Sequence, residues 1–207
     1  VSYDDGANWE SLSLNLPDVP AADLLVKDNE LVIATHGRGF WVLDNVAPLR
    51  QVTPAVSASA DPWLFAPPTA YRSGMGATIN YWLKAPAKNV TVEILDAKGN
   101  VVRTYAPLDS AARAAAAAAA ADAGRRFGGP QAPPPSAIGM NRCSWDLNYA
   151  PATTFPGMIL WGATTAGPAA PPATYQVRLN VDGKTQLQPV TVKRNPLYAD
   201  VTDADLQ

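Results

Sequence analysis

Apolar residues in this 207-residue chain come mostly in strand-length runs, broken again and again by its 20 prolines and 14 glycines. That punctuation constrains the fold more than any other feature. Helices need longer amphipathic stretches, whereas strands joined by turns tolerate a Gly or Pro at each break. An all-β fold is therefore expected. At 47% hydrophobic the chain has material for a core, and at 16% charged it lies below the ~25% of an ordinary globular protein. The net charge of −2 comes without a basic patch or stripe, so nucleic acid is not an expected partner. No apolar run approaches the ~20 residues of a membrane span.

Four strands are predicted close together at Glu10–Leu14, Ala22–Lys27, Glu30–Thr35 and Phe40–Asp44. Asp28-Asn29 and His36-Gly-Arg-Gly39 join the last three, and both are hairpin chemistry because their residues adopt positive φ readily. Residues 49–62 turn to Pro, Ala, Ser and Val without periodicity, which reads as a linker. A second set of strands follows over 63–193: Trp63–Phe65, Ala77–Leu83, Val90–Leu95, Val101–Tyr105, Arg142–Leu147, Tyr175–Asn180 and Leu187–Val192. Asp182-Gly183 is a strong hairpin signal among them. This alternation suggests a β-sandwich of immunoglobulin type. Residues 107–138 interrupt it with an alanine run predicted as a helix and then a Gly/Pro/Arg-rich loop, a surface insertion. Residues 194–207 form a tail predicted to begin a helix.

Cys143 stands alone, so no internal disulfide is available, and in a strand-like stretch it reads as a small buried hydrophobe. The one histidine, His36, is far away in sequence, so a thiol–imidazole pair is not expected.

Ser2-Tyr-Asp-Asp-Gly-Ala-Asn-Trp9 fits Ser-x-Asp-x-Gly-x-x-Trp. The Asp4 carboxylate can accept amides of the turn, Gly6 supplies positive φ, and Trp9 is expected to pack under the hairpin. The pattern resembles the Asp box of BNR-repeat β-propellers, the group of sialidases, related glycoside hydrolases and sortilin-type propellers. Leu14-Asn-Leu-Pro17, Leu31–Asp44, Met140–Asp146, Phe155–Trp161 and Tyr175–Leu179 are similar to the closing repeat and C-terminal sandwich of bacterial proteins labelled glycosyl hydrolase, BNR repeat. Cys143 replaces the more usual aromatic, and Asn148 an expected Arg. The resemblance implies that residues 1–48 are the last propeller repeat. The remaining blades, expected to precede Val1, would then be this segment's principal partner. It also implies a secreted, periplasmic or cell-surface bacterial protein.

Turn parity places the box and the His36–Gly39 turn on opposite propeller faces, so His36 and Arg38 are candidates for the ligand face. Arg suits a carboxylate or phosphate there; turn glycines around a structural Arg are the plainer alternative. Ser2, Asp4, Gly6 and Trp9 are read as structural. Asp4 and Asp5 are adjacent, so they point apart and cannot form a hydrolytic pair converging on one bond. Trp145, Tyr149, Phe155 and Trp161 form a candidate aromatic cluster, for sugar stacking or for the sandwich core. No catalytic residue, metal site or cofactor is expected within this chain. Three functions compete: a non-catalytic end of a glycoside-hydrolase-like propeller, a sortilin-like propeller binding peptide or carbohydrate without hydrolysis, and a structural surface or matrix module. Fold does not decide among them.

Overall fold

The computed structural model describes residues 1–107, 132–153 and 165–206. The chain divides into two compact units, Val1–Ser59 and Ala60–Gln207. Both are built from β-sheet, antiparallel except where Ala70 and Tyr71 meet Val192 and Lys193, which confirms the all-β class.

In the first unit, β1 (Ala21–Lys27), β2 (Glu30–Thr35) and β3 (Phe40–Leu43) pair in the order β1-β2-β3. The two turns form as their residues require, with Asp28 at φ 52°, Gly37 at 82° and Gly39 at 70°. The predicted strand over Glu10–Leu14 does not form. Glu10 exchanges backbone bonds with Val1, but Leu14 turns at φ 47° and Leu16 N–H bonds back to Ser13, so the run cannot continue. The stretch expected as a linker carries two one-turn helices, α1 (Ala47–Gln51) and α2 (Pro54–Ala58). Each has a proline in its first turn, where the missing N–H costs nothing. Thr53 caps α2 by accepting the Val56 amide at 3.3 Å. Val46 N–H and the Arg50 guanidinium reach the carbonyl and side chain of Asn29, which ties α1 to the β1–β2 turn.

Strand register decides the sheet's two faces. Leu24, Val26, Leu31, Ile33, Trp41 and Leu43 share one; Leu25, Val32, Ala34, Phe40 and Val42 share the other. Both are apolar. Val1–Tyr3, Leu12 and α1 bound a cavity of about 430 Å³ with Val26 and Leu31 on the first face. On the second, Phe40 is 78% exposed, with Leu25 and Val42 also in solvent.

The second unit has a five-stranded sheet, β5-β11-β10-β7-β8, and a three-stranded sheet, β4-β6-β9. Its strands are β4 (Trp63–Leu64), β5 (Ala70–Tyr71), β6 (Ala77–Leu83), β7 (Val90–Leu95), β8 (Val101–Tyr105), β9 (Gly139–Trp145), β10 (Ala173–Val181) and β11 (Lys184–Lys193). Ile79, Tyr81, Leu83 and Trp145 from the smaller sheet meet Val92, Ile94, Val177, Leu179 and Val190 from the larger in one core. The alternating burial of β6, β7 and β10 is the period-2 pattern that such a core demands. β5 was not foreseen: two residues long, it pairs parallel to the end of β11. Pro189 sits inside β11 without breaking a ladder, because β5 pairs only with Val192 and Lys193. The alanine-run helix lies outside the described residues. In the tail, Thr202 and Asp205 cap each other around one 3₁₀ turn, Ala204–Leu206, where a helix start was expected.

Candidate functional site

The Asp-box segment is a closed network. Ser2 Oγ donates to Asp4 Oδ1 at 2.9 Å and accepts the Gly6 amide at 2.8 Å. Asn8 then gives Asp4 both its amide, 2.9 Å to Oδ1, and its side-chain N–H, 2.6 Å to Oδ2. The Asn8 side chain, its amide and the Ser2 hydroxyl hold the Asp4 carboxyl below the usual carboxylate range. Gly6 takes φ 92° after Asp5 at 54°, and Val1 and Glu10 close the base by exchanging two backbone bonds. Trp9 departs from expectation. Its indole N–H reaches the Gly6 carbonyl at 3.0 Å, yet the side chain stays 74% exposed rather than packing under the hairpin. The turn satisfies itself by hydrogen bonds and needs no apolar cover.

His36 and Arg38 lie in the β2–β3 turn and are exposed. The turn is fixed by Thr35, whose amide and hydroxyl both donate to the Gly39 carbonyl at 3.1 and 2.7 Å. The Arg38 carbonyl accepts the Trp41 indole N–H at 3.2 Å. The box segment adjoins the other end of the same sheet, beside Val26 and Leu31. The structure therefore does not bring Asp4 near His36 or Arg38.

Two members of the aromatic cluster, Trp145 and Tyr149, lie at one core. Trp145 is fully buried and meets Tyr175 edge-to-face at 5.0 Å, with its indole N–H on the Asn148 carbonyl at 2.9 Å. Tyr149 is half-buried against the same core. Trp145 is thus a core residue, and Tyr149 packs against that core while staying partly open. Phe155 and Trp161 lie outside the described residues. Cys143 packs against the core, and burial pushes its thiol up to about 12.

The loop Asp96-Ala-Lys-Gly-Asn100 reads in the sequence as a Gly-containing hairpin connection, but its clamp, built like the box, was missed. Asp96 Oδ1 accepts the amides of Lys98 and Asn100 at 2.8 and 2.9 Å, and Asn100 Nδ2 donates to Asp96 Oδ2 at 3.0 Å. The shared signal is Asp-x-x-x-Asn around a positive-φ Gly, visible in Asp4–Asn8 and in Asp96–Asn100. Such a clamp serves any tight turn. A cavity of about 470 Å³ runs along β8 beside Ala150 and Pro151, lined by Arg103, Thr104 and Tyr105 among apolar residues. Among the described residues no group of three His, Cys, Asp or Glu side chains could hold a metal ion, and no helix is long and apolar enough to cross a membrane.

No known protein family matches this chain, and no curated protein does. A solved structure, CopC from Methylosinus trichosporium OB3b, is similar over 65% of this chain and 96% of its own, at 11% identity and a TM-score of 0.31, a likeness too distant to carry an argument.

Proposed function

We propose that this chain is the non-catalytic C-terminal segment of a secreted bacterial β-propeller protein of glycoside-hydrolase-like, BNR-repeat type. Residues 1–48 are its last repeat, and residues 63–193 an immunoglobulin-type sandwich that braces or presents the propeller. The observation that carries the reading is the succession of a self-closed Asp-box turn and a three-stranded antiparallel sheet that is apolar on both faces. A sheet lying against one core has one apolar face. Two such faces suit a blade stacked between two others. For the sandwich, two sheets sharing one core around a fully buried tryptophan support the assignment. Ligand contacts are assigned to the blades outside this chain, with His36 and Arg38 at the rim facing away from the box.

Intact mass and N-terminal sequencing of the native protein from its source test this. A mass several times that of 207 residues, with further Asp-box repeats upstream, is expected. A native chain beginning near Val1 would overturn the reading.

A further inference from the structure

Asp-Gly and Asn-Gly are the pairs in which a side-chain carbonyl carbon meets the next amide nitrogen with no Cβ in the way. The 207 residues hold two Asp-Gly pairs, Asp5-Gly6 and Asp182-Gly183, and no Asn-Gly. Both lie in turns of the same local conformation, with Asp5 and Asp182 at φ 54° and 49° and Gly6 and Gly183 at 92° and 90°. A difference in their chemistry therefore has to come from what holds them.

The glycine nitrogens are held alike. Gly6 N–H donates to Ser2 Oγ at 2.8 Å, and Gly183 N–H to Asn180 Oδ1 at 3.2 Å. The aspartates differ. Asp182 accepts the Asn89 amide on Oδ1 at 2.8 Å and the Lys88 amide on Oδ2 at 3.1 Å, so both its oxygens are committed to the segment leading into β7. Its own amide returns to the Asn89 carbonyl at 3.0 Å, and its turn closes the long β10–β11 ladder. In the box, by contrast, the hydrogen bonds from Ser2 and Asn8 converge on Asp4, while Asp5 is exposed and takes no part in them.

We propose that Asp5-Gly6 is a site of spontaneous covalent modification, at which Asp5 converts to isoaspartate while Asp182 is protected. The Gly6 nitrogen attacks the Asp5 side-chain carboxyl carbon. A C–N bond forms, and the carboxyl hydroxyl leaves with the amide proton as water. A second water then adds to the backbone carbonyl carbon of the five-membered imide, and the bond from that carbon to nitrogen breaks. One water leaves and one enters, so the conversion draws on no oxidant, reductant or cofactor. The main chain then runs through the Asp5 side chain and is one carbon longer. Ser2 with Gly6, and Asp4 with Asn8, lose the spacing on which their bonds depend, so the product turn opens. The inference concerns the chain's own covalent chemistry and is independent of the propeller reading.

Peptide mapping of the folded protein after weeks at mildly acid pH tests it, with fragmentation that separates isoaspartate from aspartate. Isoaspartate is expected to accumulate at Asp5 at least about tenfold faster than at Asp182, because two charge-assisted bonds must break before the Asp182 carboxyl can turn. In guanidinium chloride both sites are freed, and their rates are expected to become similar. Ser2→Ala releases the Gly6 nitrogen and is expected to speed conversion at Asp5 severalfold while leaving Asp182 unchanged. Equal rates at the two sites of the folded protein, or isoaspartate at neither, overturns the proposal. So does a preference for Asp5 that persists undiminished in guanidinium chloride, or an Asp5 rate that Ser2→Ala leaves unchanged.

Discussion

Gln186 behaves as a fragment of backbone. Its Oε1 accepts the Leu64 amide and its Nε2 donates to the Pro62 carbonyl, both at 2.6 Å, while Gln188 Nε2 reaches the Leu64 carbonyl at 3.3 Å. One donor and one acceptor on a side-chain amide thereby join β11 of the larger sheet to β4 of the smaller, where no ladder connects them. Lys184 and Asp61 add an exposed ion pair beside them, and such pairs contribute little. Gln186→Ala leaves the Leu64 amide and Pro62 carbonyl without these partners, and urea unfolding is expected to show a loss of about 1–3 kcal/mol. Gln186→Glu should lose at least as much, because a carboxylate offers the Pro62 carbonyl no donor. Cys143 is a second residue with a local test. With its thiol at about 12, the thiolate that reacts is nearly absent at pH 8. A thiol reagent should therefore label the native protein slower than the urea-unfolded chain by about three orders of magnitude.

At the scale of elements, close approach of backbone matters more than turn type. Gly76 stands at φ 75°, and a Cβ there would lie 2.4 Å from the Trp145 carbonyl oxygen. Gly99, at φ 82° in the β7–β8 turn, has open space around it. Gly99→Ala should cost about 1 kcal/mol, the strain of a left-handed conformation alone. Gly76→Ala should cost about 3 kcal/mol or more, because β9 must shift as well. Thermal unfolding of the pair checks the contrast. The sequence announces both glycines equally, since their neighbours in space are set by pairing between β6 and β9, which no local pattern encodes. The same limit explains what could and could not be read. β6, β7 and β8 were legible to the residue, because alternation and flanking turns bound them on both sides. The strand expected over Glu10–Leu14 is stopped by the Leu14 turn at φ 47°, and two-residue β5 was invisible because it exists only by lying beside β11. Of the candidate site, the box hydrogen bonds were legible from residue types, whereas the exposure of Trp9 was not. Trp145 shows the general difficulty: a strand tryptophan reads alike as stacking platform or core, and only its Tyr175 and Asn148 contacts decide.

Over the whole molecule, burial is unequal. Val46 and Val56 are the buried large apolar residues among the described ones of 1–59, whereas a core of twenty buried residues fills the second unit. Local opening free energy follows such burial, so amides of β1–β3 should exchange hydrogen orders of magnitude faster than those of β6, β7 and β10. Equal protection in both sets would contradict this. The larger core also sets how stability responds to alkali. Burial raises Cys143 to about 12 and pushes Tyr81 and Tyr175 above the ordinary phenol range, and both phenols donate to carbonyls, Tyr81 to Pro135 and Tyr175 to Pro171. All three are acids whose folded pKa exceeds the unfolded value. Below about pH 8 both states keep these protons, so the groups leave stability unchanged with pH there. Above the ordinary thiol pKa of about 8.5 the unfolded chain releases a proton that the folded chain retains, and stability must fall. The slope approaches about 1.4 kcal/mol per pH unit from Cys143 alone and steepens above about pH 10 as the tyrosines join. Urea midpoints taken from pH 7 to 11 should therefore decline from about pH 8.5, and Cys143→Ala should delay the decline toward pH 10. A midpoint that holds constant through pH 10 in the wild-type protein would mean that the thiol is ionisable in the folded state, and that the β9 side of the core admits water.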